Sequence, residues 1–389
     1  MTEHVVVVVG SNESLPEYAQ GQFWVIDFSN APTGAPTAVA VSCSSDGVVV
    51  DCSGSQAAVG TCVGGSVTIY DISNPAKPSA VGSAGLPFGG IAAVSFFGGS
   101  VLAAEANGRQ VALIDINDLA NPQIFLTYFD TLTDVTLFGS SAVICGVSAY
   151  NNAFQVVSTG DLSNLDNVAT TNFSPNDPNT NSPVMCDFDG TNAVFSDGLG
   201  LYVFKVLGGA ATAIGSETLY DSGGVTSVAI AESGGASGVP NGGVQLAYTG
   251  GEDPNVELQY FVPPIPSGTN WVGGSASLGD ANNIYGQPND AYGGVAKFCR
   301  SVWGTSALLA TAAVTQTSGG AQEYVVSLFD LSAGGGSIQA MKQGARIPVN
   351  LATTLTPNST LGITTFFTFP PWFPLPLPPW PWLRAIGLG

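Results

Sequence analysis

The chain of 389 residues is 45% apolar and only 9% charged, and its 28 acidic against 8 basic residues give a formal net charge of −20. That length can bury a large core, while so little charge leaves Ser, Thr, Asn, Gln and Gly to build the surface. Nucleic acids and anionic lipids are held through Lys and Arg, so an acidic chain this poor in both excludes them as expected partners.

The first element, in MTEHVVVVVGSNES, has no basic segment ahead of it, and its five valines are too few for a secretory leader. Before the C-terminal segment no stretch reaches the ~18 apolar residues of a membrane helix, so no membrane span is expected. Short apolar runs alternate with turn formers instead. The 50 glycines and 25 prolines punctuate those runs as turns between strands would.

A repeat orders the elements that follow. QFWVIDFSN, SVTIYDISN, QVALIDIND, FQVVSTGDLSN and EYVVSLFDLSA share an alternating apolar run, an Asp, an apolar residue, then Ser or Asn and a turn former. The marker residues Asp27, Asp71, Asp115 and Asp161 are spaced by 44, 44 and 46 positions, and Asp330 follows 169 positions later. Two weaker copies fit that gap, LYVFKVLGG from Leu201 and VELQYFVPP from Val256, which makes seven units. Between Gly90 and Asp130 one unit reads as four short strands, IAAVSFF, SVLAAEA, QVALIDI and QIFLTYF. Its Gly-Gly and Asn-Gly turns are those that two-residue hairpins require. No useful helical periodicity occurs.

The expected fold class is therefore all-β: a seven-bladed β-propeller of four-stranded blades over residues 1–368, followed by an extended Pro/Trp-rich arm at 369–389. Only one strand, HVVVVVGS, precedes the first Asp-marked strand, so blade one lacks its innermost strand at the N-terminus. ARIPVNLATTL or the later GITTFFTF can supply it, and pairing of the two ends would close the ring. An Asp at a strand end accepts backbone N–H groups of the next turn, which assigns structural roles to Asp27, Asp71, Asp115, Asp161 and Asp330.

The units VTIYDISNPAKPSAVGS and VALIDINDLANPQ resemble the LVIVD repeats of bacterial and archaeal surface propellers. The likeness is good in units one to three, partial in four and seven and poor in five and six. It implies a propeller fold and a frequently extracellular setting, and it brings no catalytic residues with it.

Chemistry-bearing motifs are sparse. One histidine, His4, cannot make a histidine-rich metal centre, and G-x-S-x-G, P-loop and strand-linked G-x-G-x-x-G motifs are missing. No catalytic residue, cofactor or metal is assigned. Asp187, Asp189 and Asp197 in MCDFDGTNAVFSDGLG resemble a calcium loop at a glance, but the spacing fails the EF-hand rule and an Asp-Gly hairpin accounts for them. The six cysteines form no C-x-x-C pair; they read as buried thiols, with a disulfide among Cys43, Cys52 and Cys62 as the alternative.

The last element, TFPPWFPLPLPPWPWLRAIGLG, carries a Pro every two or three residues and favours polyproline II. Trp372, Phe373, Leu375, Leu377, Trp380, Trp382 and Leu383 on that scaffold form a string of apolar anchors for docking on another protein subunit or on the propeller itself. The expected function is that of a non-enzymatic structural protein, a virion component such as a spike, turret or capsid-associated propeller, sited on a virion or an extracellular surface. A surface or secreted propeller that binds host glycan or protein is the first alternative. A hydrolase or lyase with a carboxylate pair in the channel is the second.

Overall fold

The computed structural model describes residues 2–11, 21–29, 36–43, 47–127, 129–147, 153–158, 170–172, 185–197, 200–207, 210–218, 225–232, 244–250, 256–261, 275–277, 292–301, 304–316, 322–330, 339–342, 346–348 and 361–367. Every regular element among them is a strand, and the strands form seven antiparallel sheets. Among the described residues no helix is long and apolar enough to cross a membrane.

Blade three shows how local sequence sets the blade. Its strands Ile91–Phe97, Ser100–Glu105, Gln110–Asp115 and Gln123–Leu126 run in order from the inside of the ring outward. The first hairpin turns on Gly98 and Gly99 at φ of 61° and 110°, and Asn107 stands in the second at φ 55°. A tight hairpin needs such positive angles, which Gly and Asn adopt most readily. Blade two repeats the plan with Val48–Ser53, Gln56–Thr61, Ser66–Asp71 and Ser79–Gly85. Blades four, five and six begin with inner strands Thr131–Phe138, Met185–Phe188 and Val225–Glu232. The two weak repeat copies are the third strands of blades five and six, Gly200–Leu207 and Val256–Phe261.

Blade seven departs from four strands. After Tyr292–Ser301, Gly304–Gln316 and Gln322–Asp330, its outer position is shared by Gln339–Lys342 and Arg346–Pro348, which pair with opposite ends of the third strand. Blade one is the seam. Leu361–Phe367 lies innermost and pairs with Thr2–Ser11 from Thr2↔Phe367 to Val8↔Leu361, followed by Gly21–Asp27 and Thr37–Ser42. Of the two candidate closing segments the later one is used. The earlier one contains Pro348, which lacks an N–H and is accommodated at the outer edge of blade seven.

The innermost strands of successive blades pack on one another around a closed circuit. The core is accordingly a set of wedges between blades. Val49, Ala58, Ile69, Val94 and Val101 fill the space between blades two and three; Leu132, Val135 and Ile144 pack on Leu102 and Val111 between three and four. At the seam Gly362 has room for no side chain: a Cβ there would stand 2.9 Å from the Cys52 nitrogen of blade two.

Candidate functional site

Each inner strand is an apolar run interrupted by a polar residue. Asp51, Ser95, Asp134, Asp187, Ser227, Lys297 and Thr364 occupy this place in blades two to seven and then blade one, and all seven are buried. An inner strand pairs with its own blade along one edge only, so its other edge carries N–H and C=O groups without ladder partners, and burying them unmet is costly.

The polar side chains meet this need from the neighbouring blade. Asp51 Oδ2 accepts the Phe96 N–H at 2.8 Å, and Ser95 Oγ accepts that of Leu137 at 2.9 Å. Asp134 Oδ2 accepts the Cys186 N–H at 3.0 Å, Asp187 Oδ2 that of Ile230 at 2.9 Å, and Ser227 Oγ that of Ala296 at 3.1 Å. Each bond reaches the inner strand of the next blade in the chain, from blade two through blade seven. At the seam the polarity reverses. Thr364 Oγ1 donates to the Gly54 carbonyl of blade two at 2.9 Å.

Lysine can only donate, so Lys297 ends the series of acceptors. Its Nζ reaches from blade seven to Asp51 Oδ1 of blade two at 2.9 Å, spanning the inner strand of blade one. Both partners are nearly sealed from solvent, Lys297 at 7% exposure and Asp51 at 3%. Asp51 also accepts the N–H of Cys52 at 2.9 Å. A buried pair with this many hydrogen bonds is tolerated, but removal of one partner leaves an uncompensated charge and typically costs about 3–5 kcal/mol.

The thiols near this girdle hold their protons. Burial, and then the Asp51 charge, push Cys52 well above its usual range against the pull of Lys297. Burial pushes Cys43 up to about 11 despite its hydrogen bond with Tyr70, and Tyr70 is itself pushed up to about 12, burial again leading. Thiols in that state are poor nucleophiles. None of the six cysteines is disulfide-bonded, so the alternative of a disulfide among Cys43, Cys52 and Cys62 is not realised in this structure.

The marker aspartates stand elsewhere, at the C-terminal ends of third strands. Asp27 Oδ1 accepts the Ser29 N–H at 2.8 Å and also bonds its hydroxyl; Asp71 Oδ1 accepts the Ser73 N–H at 2.8 Å. Asp115 Oδ1 accepts the backbone and side-chain N–H of Asn117 at 2.9 and 3.0 Å. Asp330 ends the third strand of blade seven, and Asp161 lies outside the described residues. The calcium-like trio is divided among three tasks. Asp187 joins the girdle, Asp189 Oδ1 caps the Thr191 and Asn192 N–H groups at 2.8 and 2.7 Å, and Asp197 Oδ1 accepts the Gly200 N–H at 2.9 Å. Among the described residues no group of three His, Cys, Asp or Glu side chains is arranged to hold a metal ion. His4 lies in the second strand of blade one opposite Thr365. Trp372, Phe373, Leu375, Leu377, Trp380, Trp382 and Leu383 lie outside the described residues.

Solved structures share this architecture. A protein from Lactobacillus plantarum superposes with a TM-score of 0.57 at 9% identity, covering 93% of this chain and 99% of that one. The periplasmic gluconolactonase of Pseudomonas aeruginosa gives 0.53 at 13% identity over 90% of this chain and 97% of its own. The Cps50 (Swd1) β-propeller domain of Myceliophteria thermophila gives 0.50 at 13% identity, over 78% and 87%. The chain has the β-propeller fold. At these identities the likeness carries the propeller scaffold and nothing about its site. No protein-family model matches the sequence, and no curated protein matches it.

The propeller's girdle leaves a signal in the sequence. The signal is a polar residue set inside an apolar run, clearest in VVVDCS, VSFF and AKFC and blurred by neighbouring threonines in TLTDVTLF, VTSVAIAE and LGITTFF.

Proposed function

We propose that this propeller is a non-enzymatic structural and interaction protein, a subunit of a larger protein assembly, and specifically a virion component of the spike, turret or capsid-associated kind. The observation that carries this reading is the use made of the buried polar groups. Asp51, Asp134 and Asp187 hold the next blade's backbone, which makes them parts of a rigid frame. A rigid ring with variable outer strands suits a building block that presents its rim to partners.

The rim supports the same reading. The outer strands Thr37–Ser42 and Ser79–Gly85 read TAVAVS and SAVGSAG, without one charge, and Val81 is 60% exposed. Free monomers blunt such edges with Lys, Pro or a covering element. In this proposal the arm at 369–389 anchors the ring to its neighbours through Trp372, Trp380 and Trp382, on a virion or an extracellular surface. The LVIVD-like units agree with that setting.

The test is a chain ending at Phe367. It is expected to fold and sediment as a monomer while failing to enter particles isolated from the native source. Normal incorporation would overturn the proposal.

A second reading has one observation in its favour. Asp134 and Asp187 are buried carboxylates on adjacent inner strands, and of the propellers of similar architecture two are named as putative 6-phosphogluconolactonases and one as a periplasmic gluconolactonase. Lactone hydrolysis by the full chain that disappears in both Asp134→Asn and Asp187→Asn would replace the structural role with a catalytic one.

A further inference from the structure

Two cysteine side chains that the frame does not use lie in one buried cluster between blades four and five. Cys145 lies on the second strand of blade four, Ser141–Val147, directly opposite Asp134 in the ladder, so the two side chains share a sheet face. The carboxylate of Asp134 reaches the Cys186 N–H on the inner strand of blade five at 3.0 Å. Thr136, two residues along the same face, places its Oγ1 3.3 Å from the Cys186 carbonyl and 3.9 Å from its sulfur. Cys145 and Cys186 are both fully buried in one apolar cluster with Val143, Phe188 and Phe195. The Cys145 sulfur lies 3.5 Å from Thr133 Oγ1, so threonines of one blade-four strand touch both sulfurs.

We propose that Cys145 and Cys186 are a disulfide site that ties blade four to blade five. The oxidant is a small-molecule disulfide. One cysteine thiolate attacks it, forming a mixed disulfide and releasing one small thiol. The second cysteine thiolate then attacks the sulfur of the first, forming the Cys145–Cys186 bond and releasing the other small thiol. Two protein thiols are oxidised, one external disulfide is reduced to two thiols, and the protons follow them.

Placement decides when this happens. In the closed ring both sulfurs are sealed off, and burial together with the Cys145 contact and the Asp134 charge holds Cys186 protonated. The bond therefore forms while the blades assemble, and the finished ring resists both oxidation and reduction. The other candidate thiols are placed differently. Cys52 and Cys299 lie in blades two and seven with the inner strand of blade one between them, and the Cys299 thiol donates to Thr365 at 3.9 Å. Cys43 is engaged with Tyr70.

The experiment refolds the full chain with oxidised and reduced glutathione, blocks free thiols under denaturing conditions and maps the peptides by mass spectrometry. The expected result is a loss of two of the six thiols, a linked Cys145–Cys186 peptide, and a melting temperature raised by roughly 3–5 °C over the reduced chain. The native ring exposed to the same buffer is expected to keep all six thiols. Six free thiols after refolding, or a link between any other pair, would overturn the proposal. Cys145→Ser serves as a control expected to lose the link and the thermal gain; the map of the unsubstituted chain decides the matter even if that variant does not fold.

Discussion

The innermost and outermost strands of the same blades are built on opposite principles. In blades two and three the inner strands Val48–Ser53 and Ile91–Phe97 are buried nearly throughout, yet each carries a polar residue, while the outer strands Ser79–Gly85 and Gln123–Leu126, the first mostly exposed and the second half-buried, carry no charge. Both kinds of strand have one unpaired edge. Inside the ring, water is scarce and a neighbouring blade is within reach, so a side chain must satisfy the edge. On the rim, water can do so, and the edge stays open. Polarity in this fold follows the availability of solvent to the backbone more than the exposure of the side chain.

The strongest way to break the inner half of this comparison is Lys297→Met, which strands the Asp51 charge. Unfolding in urea should show a loss of about 3–5 kcal/mol, much of it recovered in the Lys297→Met, Asp51→Asn double variant. An unchanged midpoint for the single variant would mean that the pair carries no weight at the seam. Next comes Asp187→Ala, which leaves the Ile230 N–H without its acceptor and should cost about 1–3 kcal/mol, with Ser95→Ala at the lower end of that range. Gly362→Ala belongs to the same range, because its Cβ would press on the blade-two backbone at 2.9 Å.

A pH titration sharpens the contrast without mutation. The Cys43 thiol keeps its proton to about 11 in the folded ring but loses it near the ordinary value of 9.0 when unfolded. Since the folded state then binds more protons, stability holds below that ordinary value and falls as pH rises toward 11. Tyr70, shifted from 10.0 to about 12, extends the decline. Thermal melts across this range should show the slope, and Cys43→Ala should make it shallower. The smallest effect is expected on the rim, where Val81→Lys should change stability by no more than about 0.5 kcal/mol. If the rim docks a partner, the same variant should reduce assembly measured by sedimentation.

Much of the fold is legible in order along the chain. The turns announce themselves chemically, as at Gly98, Gly99 and Asn107, whose positive φ angles only a few residue types tolerate. The Asp markers at 27, 71 and 115 end the third strand because each carboxylate caps a backbone N–H two residues on, an interaction confined to a few neighbouring positions. The girdle is not legible in this way because its bonds join residues such as Asp51 and Phe96, 45 positions apart. Nothing local distinguishes Asp51 from a turn aspartate except the apolar run around it.

The sequence by itself determined the repeat, its strand-and-turn grammar and the seven-fold count, since these depend on short-range chemistry that recurs along the chain. Tertiary structure alone decided which C-terminal strand closes blade one, that Lys297 finds Asp51 past that strand, and that Cys145 and Cys186 share one buried cluster. Those outcomes depend on circular closure, which brings residues of different blades to one depth in a water-poor interior, and no local pattern encodes who the neighbour across the seam will be.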